Sequence, residues 1–144
     1  LVGLDIGKRR IGVAMRQNNL DISMPIGVVE IRNIPSAISE IKNLLLKYNA
    51  AGIIIGFPLM LNGDPAEMSE FIIHLTKKIN KATNIPSLFV DERFSSAHAD
   101  RLLKETGRDR QKRQQTLDSI AASIILDTFV SRYRSELEKT CRFN

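Results

Sequence analysis

The first thirty residues alternate on a period of two. "LVGLDIG" and "RIGVAMR" are short apolar runs a few residues apart, and in the second Ile11, Val13 and Met15 alternate with the small Gly12 and Ala14. Two such runs around a tight turn predict a β-hairpin. A third run, "PIGVVEIR", follows the polar loop "QNNLDIS", which extends the prediction to an antiparallel three-stranded meander. At Pro35 the period changes. Ala37, Ile38, Ile41, Leu44, Leu45 and Tyr48 recur at helical spacing behind Pro35 and Ser36, the expected opening residues. "AGIIIGFP" is apolar throughout and ends in Gly and Pro, as a strand buried on both faces does.

From Pro65, a stripe of Met68, Phe71, Ile72, Leu75 and Ile79 predicts a second helix, and "IPSLFVDER" a fifth strand ending in acidic residues. "SSAHADRLLKETG" reads as a short helix capped by Ser95 or Ser96 and stopped by Gly107. A last helix is expected from near Thr116 to at least Tyr133, with "RSELEKTCRFN" extending it or fraying. The order β-β-β-α-β-α-β-α-α predicts an α/β fold with a mixed five-stranded sheet. Strand one sits centrally beside "AGIIIGFP", and helices cover both faces. One domain is expected over residues 1–133, followed by a C-terminal extension or tail over 134–144.

Composition narrows the setting. A chain of 144 residues buries an adequate core without crosslinks. The single cysteine, Cys141, allows no disulfide framework, which suits a reducing cytoplasm. No apolar run reaches the roughly 20 residues that span a bilayer, so no membrane association is expected. The net charge is +5 and the isoelectric point near 9.6. Placement says more than the total: cations gather at Lys8, Arg9 and Arg10, and at Arg108, Arg110, Lys112 and Arg113 with only Asp109 against them. Either these are two solvated loops or they meet a polyanion. Aromatics are 6% of residues and Trp is absent, which argues against a stacking platform for single strands and for contacts to a phosphate backbone.

Three carboxylates stand out against this background. Asp5 lies inside the central strand, where an ionised group is costly unless compensated. Glu92, after Asp91, ends a parallel strand, where open α/β sheets build their ligand sites. Asp118 comes early in the last helix, bordering an expected buried stripe of Leu117, Ile120, Ala121, Ile124 and Ile125. Small residues near Ala121 and Ala122 would let the helix approach the sheet and bring Asp118 to Asp5. Each has a plainer reading: Asp5 accepting from the "GKRR" turn, Glu92 pairing with Arg93, Asp118 complementing the helix dipole. Converging, the three would repel one another unless a cation lay among them. Oxygen-only ligands favour Mg²⁺ or Mn²⁺ over zinc. His74 reads as exposed on its helix and His98 as incidental.

"GLDIGKRRIGVA", "GFPLMLNGD", "DERFSSAHA" and "LDSIAASIIL" resemble, in order, the four signature blocks of the YqgF/RuvX family of ribonuclease H-like nucleases, over roughly Leu1 to Tyr133. The resemblance implies a ribonuclease H-like sheet and a metal-dependent endonuclease with catalytic, metal-binding Asp5, Glu92 and Asp118. Two metal ions about 3.5–4 Å apart would serve the hydrolysis. It implies a nucleic-acid track of Lys8, Arg9, Arg10, Arg93, Arg108, Arg110, Lys112 and Arg113, and a substrate loop around Gly56, Pro58, Asn62 and Gly63. The partner is then RNA, as in 5′-end processing of pre-16S rRNA, or branched DNA, as in Holliday junction resolution, with the protein a monomer or weak homodimer. The chain departs from the family pattern at Phe57, Met60, Leu61 and Asn62, and has Thr116 where a lysine is common. Two other classes compete: an actin-like ATPase half, whose phosphate hairpin "DIG" resembles but which needs a second domain, and a non-catalytic RNA-binding factor, which leaves the three carboxylates unexplained.

Overall fold

Alternation of side chains across the first strands sets the layers of the protein. A computed structural model describes residues 1–59, 67–91 and 110–141. Val2–Ile6 (β1), Arg10–Met15 (β2) and Met24–Glu30 (β3) form the expected antiparallel meander, with Asp5 opposite Gly12 and Arg10 opposite Glu30. Ile53–Phe57 (β4) and Ser87–Asp91 (β5) add parallel strands, giving the order β3-β2-β1-β4-β5. The central place of β1 follows from the chain's connectivity: it pairs with its hairpin partner on one side and with β4, the first strand to return after a helix, on the other.

Val2, Leu4 and Ile6 point to one face, together with Ile11, Val13, Ile53 and Ile55. There they meet Ala37, Ile41 and Leu45 of α1 (Ile34–Lys47) and Ile72, Leu75 and Ile79 of α2 (Ser69–Thr83). The helix α1 opens earlier than Pro35 and Ser36 suggest: Asn33 caps it, its side chain accepting from the Ser36 amide at 2.9 Å, and Pro35 fills the first turn. The helix α2 ends at Asn84 in the left-handed conformation. Its beginning is tied to β4, since Ser69 Oγ donates to the Pro58 carbonyl at 3.2 Å.

The other face of the sheet carries α3 (Arg110–Cys141), which packs across β1, β2, β3 and β4. Two expectations for this helix need correction. It begins at Arg110 rather than near Thr116, because "RQKRQQ" is built of good helix formers that continue the helix ahead of its apolar stripe. The deepest line is also rotated. Ser119, Ala122, Ser123, Ile125 and Leu126 are buried, whereas Leu117, Ile120, Ala121 and Ile124 are half-buried flanks. The two serines satisfy their hydroxyls on carbonyls one turn back, Thr116 at 3.0 Å and Ile120 at 2.7 Å, so small polar residues line the contact without penalty. The short helix expected over residues 95–107 lies outside the described residues.

Further along α3, Asp127 pins the helix to the sheet. It accepts from Arg16 Nη1 at 2.8 Å and from the amide and hydroxyl of Ser23 at 3.1 and 2.6 Å.

Candidate active site

Since Val2, Leu4 and Ile6 face α1 and α2, strand alternation turns Gly3 and Asp5 towards α3. The sequence makes room for the helix there. A methyl group at Gly12, the cross-strand partner of Asp5, would overlap the backbone carbonyl of Asp118. One at Gly3 would lie 2.7 Å from the Ala122 carbonyl oxygen. The helix backbone therefore rests almost directly on two glycines, and this lowers Asp118 onto the level of Asp5. The expected convergence of these two residues is present. The small residues that permit it are on the strands as much as on the helix.

The electrostatics record the approach. Burial, and second the neighbouring charge of Asp118, push the Asp5 carboxyl from an ordinary value of 3.8 to about 6. Among the described residues nothing donates a hydrogen bond to Asp5, so the plain reading of an acceptor for the turn does not account for it. Asp118 has a counter-charge: Arg10 Nε donates to its Oδ2 at 2.9 Å, with side-chain exposures of 29% and 19%. This ion pair between β2 and α3 was not foreseen, and a sequence separation of 108 residues gives it no local signal.

The turn beyond Asp5 closes where the Gly7 amide donates to the Arg10 carbonyl at 2.8 Å, leaving Lys8 and Arg9 at its tip. Both are exposed. Lys8 reaches Glu67 at 3.7 Å, a surface pair too solvated to hold it. Together Asp5, Gly7, Lys8, Arg9, Arg10 and Asp118 line a cleft of about 290 Å³.

The remaining predicted residues divide by position. Gly56 is buried in β4 opposite Val90, and Phe57 is opposite Asp91, so the carboxyl ends of β1, β4 and β5 share one edge of the sheet. Pro58 follows at that edge and its carbonyl holds Ser69. Arg110, Lys112 and Arg113 belong to the first turns of α3, although their side chains lie outside the described part. Glu92, Arg93, Arg108, Asn62 and Gly63, with Ser95, Ser96 and His98, also lie outside the described residues. Within those described, no group of three acidic, histidine or cysteine side chains gathers, and the described part of the site holds Asp5 and Asp118. His74 is exposed on α2, on the opposite face of the sheet.

A family model described as "RuvX: Holliday junction resolvase" matches residues 1–132. The chain belongs to the RuvX family. Among RuvX relatives, a Rickettsia rickettsii (strain Sheila Smith) protein named "Putative pre-16S rRNA nuclease" is 30% identical over 135 residues, 94% of this chain and 88% of its own. A Rickettsia bellii (strain OSU 85-389) protein of the same name is 30% identical over 131 residues, 91% of this chain and 85% of its own. Two solved structures share the fold. Thermus thermophilus RuvC in complex with a Holliday junction substrate has a TM-score of 0.54 at 11% identity, covering 86% of this chain and 89% of that one. The Fowlpox virus resolvase with Holliday junction DNA has 0.52 at 10% identity, covering 90% and 97%. The ribonuclease H-like reading of the mixed sheet stands with these neighbours, and the RuvX assignment with the match along the chain. No helix among the described residues is long and apolar enough to cross a membrane.

Proposed function

We propose that this protein is a metal-dependent endonuclease that hydrolyses phosphodiester bonds of structured RNA, with the 5′ end of pre-16S rRNA as its substrate. The observation that carries the reading is the pairing of Asp5 with Asp118 beneath Lys8, Arg9 and Arg10 at the carboxyl end of the sheet. A buried carboxylate whose ionisation is made costlier by a second one beside it is poor company for a polyanion unless a cation joins them.

The donor set fits a hard divalent ion. The described lining of the cleft offers carboxylate oxygens and neither thiol nor imidazole, which suits Mg²⁺ or Mn²⁺. Asp5 and Asp118 would hold it, with Glu92, the residue after the last of β5, as third ligand. Bound there, such an ion would supply activation of a water and charge stabilisation at the leaving 3′-oxygen. The chain's own groups do the rest. Lys8 and Arg9 bind phosphates on either side of the scissile bond, and the turn they occupy is fixed by Gly7. Burial of Asp5 excludes water from its flank and keeps its carboxylate aimed at α3. Gly56 and Pro58, at the same edge, border the path of the strand.

RNA is favoured over branched DNA by the curated relatives, whose name is that of an rRNA nuclease. The family description and the two solved complexes support the junction alternative. A cleavage assay with Mn²⁺, offering a pre-16S 5′ fragment and a four-way junction side by side, separates them. The RNA is expected to be cut at a defined position and Asp5→Asn to lower the rate at least 100-fold, on the order expected for loss of a transition-state charge contact. Cleavage by Asp5→Asn at the wild-type rate would remove the carboxylate pair from the chemistry. Preferential paired incision of the junction would transfer the activity to DNA.

A further inference from the structure

We propose that Arg10 is a built-in counter-ion which a divalent cation displaces from Asp118, so that filling the cleft releases the guanidinium onto a substrate phosphate. The inference rests on the nuclease reading and adds to it a coupling between the cation and the nucleic acid.

Three observations lead there. First, Arg10 reaches Asp118 through Nε alone, at 2.9 Å, and its terminal nitrogens make no hydrogen bond to another described residue. The two parallel bonds of a bidentate pair, which would occupy more of the guanidinium, are not made here. Its two terminal nitrogens, with four N–H donors between them, remain on a residue that lines the cleft. Second, both partners are only partly buried, so the pair can open without stranding either charge in the core. Arg16 also reaches its partner Asp127 through a single nitrogen, but its side chain is only 11% exposed and Asp127 is held in addition by the amide and hydroxyl of Ser23. Third, among the described residues Arg10 pairs with Asp118 alone, and its cross-strand neighbour Glu30 turns to Arg32 at 3.6 Å.

The consequence follows from charge. Without a cation, the positive guanidinium relieves part of the repulsion between Asp118 and Asp5. A divalent ion held by Asp5 and Asp118 would repel Arg10 and compete with it for the Asp118 carboxylate. Arg10 then stands free, beside Lys8 and Arg9, in a cleft whose carboxylates are neutralised. A phosphate is the complementary ligand for its planar fork. Arg10 would thus make its phosphate contact only in the cation-loaded protein.

The test compares wild type, Arg10→Gln and Arg10→Lys, each verified as folded by thermal melting. Mn²⁺ affinity is measured by calorimetry without nucleic acid, and binding of a pre-16S RNA hairpin as a function of salt with and without Ca²⁺. Loss of a competing, partly exposed ion pair should tighten Mn²⁺ binding about two- to fivefold in Arg10→Gln. With Ca²⁺ present, the slope of log K against log salt should be shallower in Arg10→Gln than in wild type by about 0.7–0.9, one phosphate contact. Without Ca²⁺ the two slopes should coincide. Arg10→Lys, which keeps the charge, should return to the wild-type slope in Ca²⁺ and to the weaker wild-type Mn²⁺ binding. Weaker Mn²⁺ binding by Arg10→Gln would overturn the proposal, since Arg10 would then be holding Asp118 for the metal. An equal slope change with and without Ca²⁺ would overturn it too, leaving a permanent phosphate contact. If wild type binds no Mn²⁺ at all, the nuclease reading itself falls.

Discussion

Asp5 is destabilising as a residue, and the pH dependence of folding should record it. Burial, and second the Asp118 charge, push its carboxyl from 3.8 up to about 6 in the folded protein. Below about pH 4 both states carry the proton and nothing is lost. Between about 4 and 6 the folded state holds more protons than the unfolded one, so stability falls as pH rises; above about 6 the whole penalty applies. A displacement of this size corresponds to at most about 3 kcal/mol. In urea unfolding with chelator present, Asp5→Asn is therefore expected to exceed wild type by about 1–3 kcal/mol at pH 7.5, and the two curves to converge near pH 4. Equal stability at pH 7.5 would mean that the Asp5 charge is already compensated without a cation. Asp5 was legible in the sequence because a lone carboxylate interrupting an apolar strand is conspicuous. Its ion-paired neighbour Arg10 was legible only as one of three cations, since what distinguishes it is a contact across the whole chain.

At the scale of elements, the contact of α3 with the first two strands decides where the carboxylates meet. Gly12→Ala would place a methyl on the Asp118 carbonyl, and backbone cannot step aside as a side chain can. The helix must lift, at a cost of roughly 2–4 kcal/mol. Mn²⁺ affinity should drop with it, because Asp118 moves away from Asp5. Asp127→Asn provides the comparison further along the same helix. It leaves the nearly buried Arg16 without a charged partner, costing about 1–3 kcal/mol, yet should leave Mn²⁺ affinity within error of wild type. Calorimetry alongside denaturation of both variants checks the pair; loss of Mn²⁺ binding in Asp127→Asn would mean that general loosening of α3, not the Gly12 contact, governs the site. Strand order, hairpin and the faces of α1 and α2 could be read in advance because periodicity reports each element's own buried side. Periodicity does not report how closely two elements approach. That is why the deep line of α3 was expected at Leu117, Ile120, Ala121, Ile124 and Ile125, of which only Ile125 is fully buried, while Gly12 and Gly3 bring the helix down at Asp118, Ala122 and Leu126.

For the whole molecule, charge and surface bear on which nucleic acid is cut. The net charge of +5 promotes encounter with any polyanion and so does not discriminate. Geometry does. Resolving a four-way junction takes two symmetric incisions and therefore two sites related by a two-fold axis. Among the described residues, large exposed apolar side chains are scattered: Leu20, Ile22 and Met24 before and at the β3 edge, Leu46 on α1, Leu88 and Phe89 on β5, and Tyr133 on α3. Divided in this way they offer no single broad face on which two copies would close. The protein is accordingly expected to sediment as a monomer at micromolar concentration, alone and with an RNA hairpin. Three cations at the cleft, Lys8, Arg9 and Arg10, should give the cation-loaded protein a salt slope of about −2 to −3 on RNA. On a four-way junction the monomer should leave independent single nicks, their timing uncoupled between opposing strands. A stable dimer that incises both strands together would show that these scattered apolar side chains do find partners, and that branched DNA is the substrate the cleft serves.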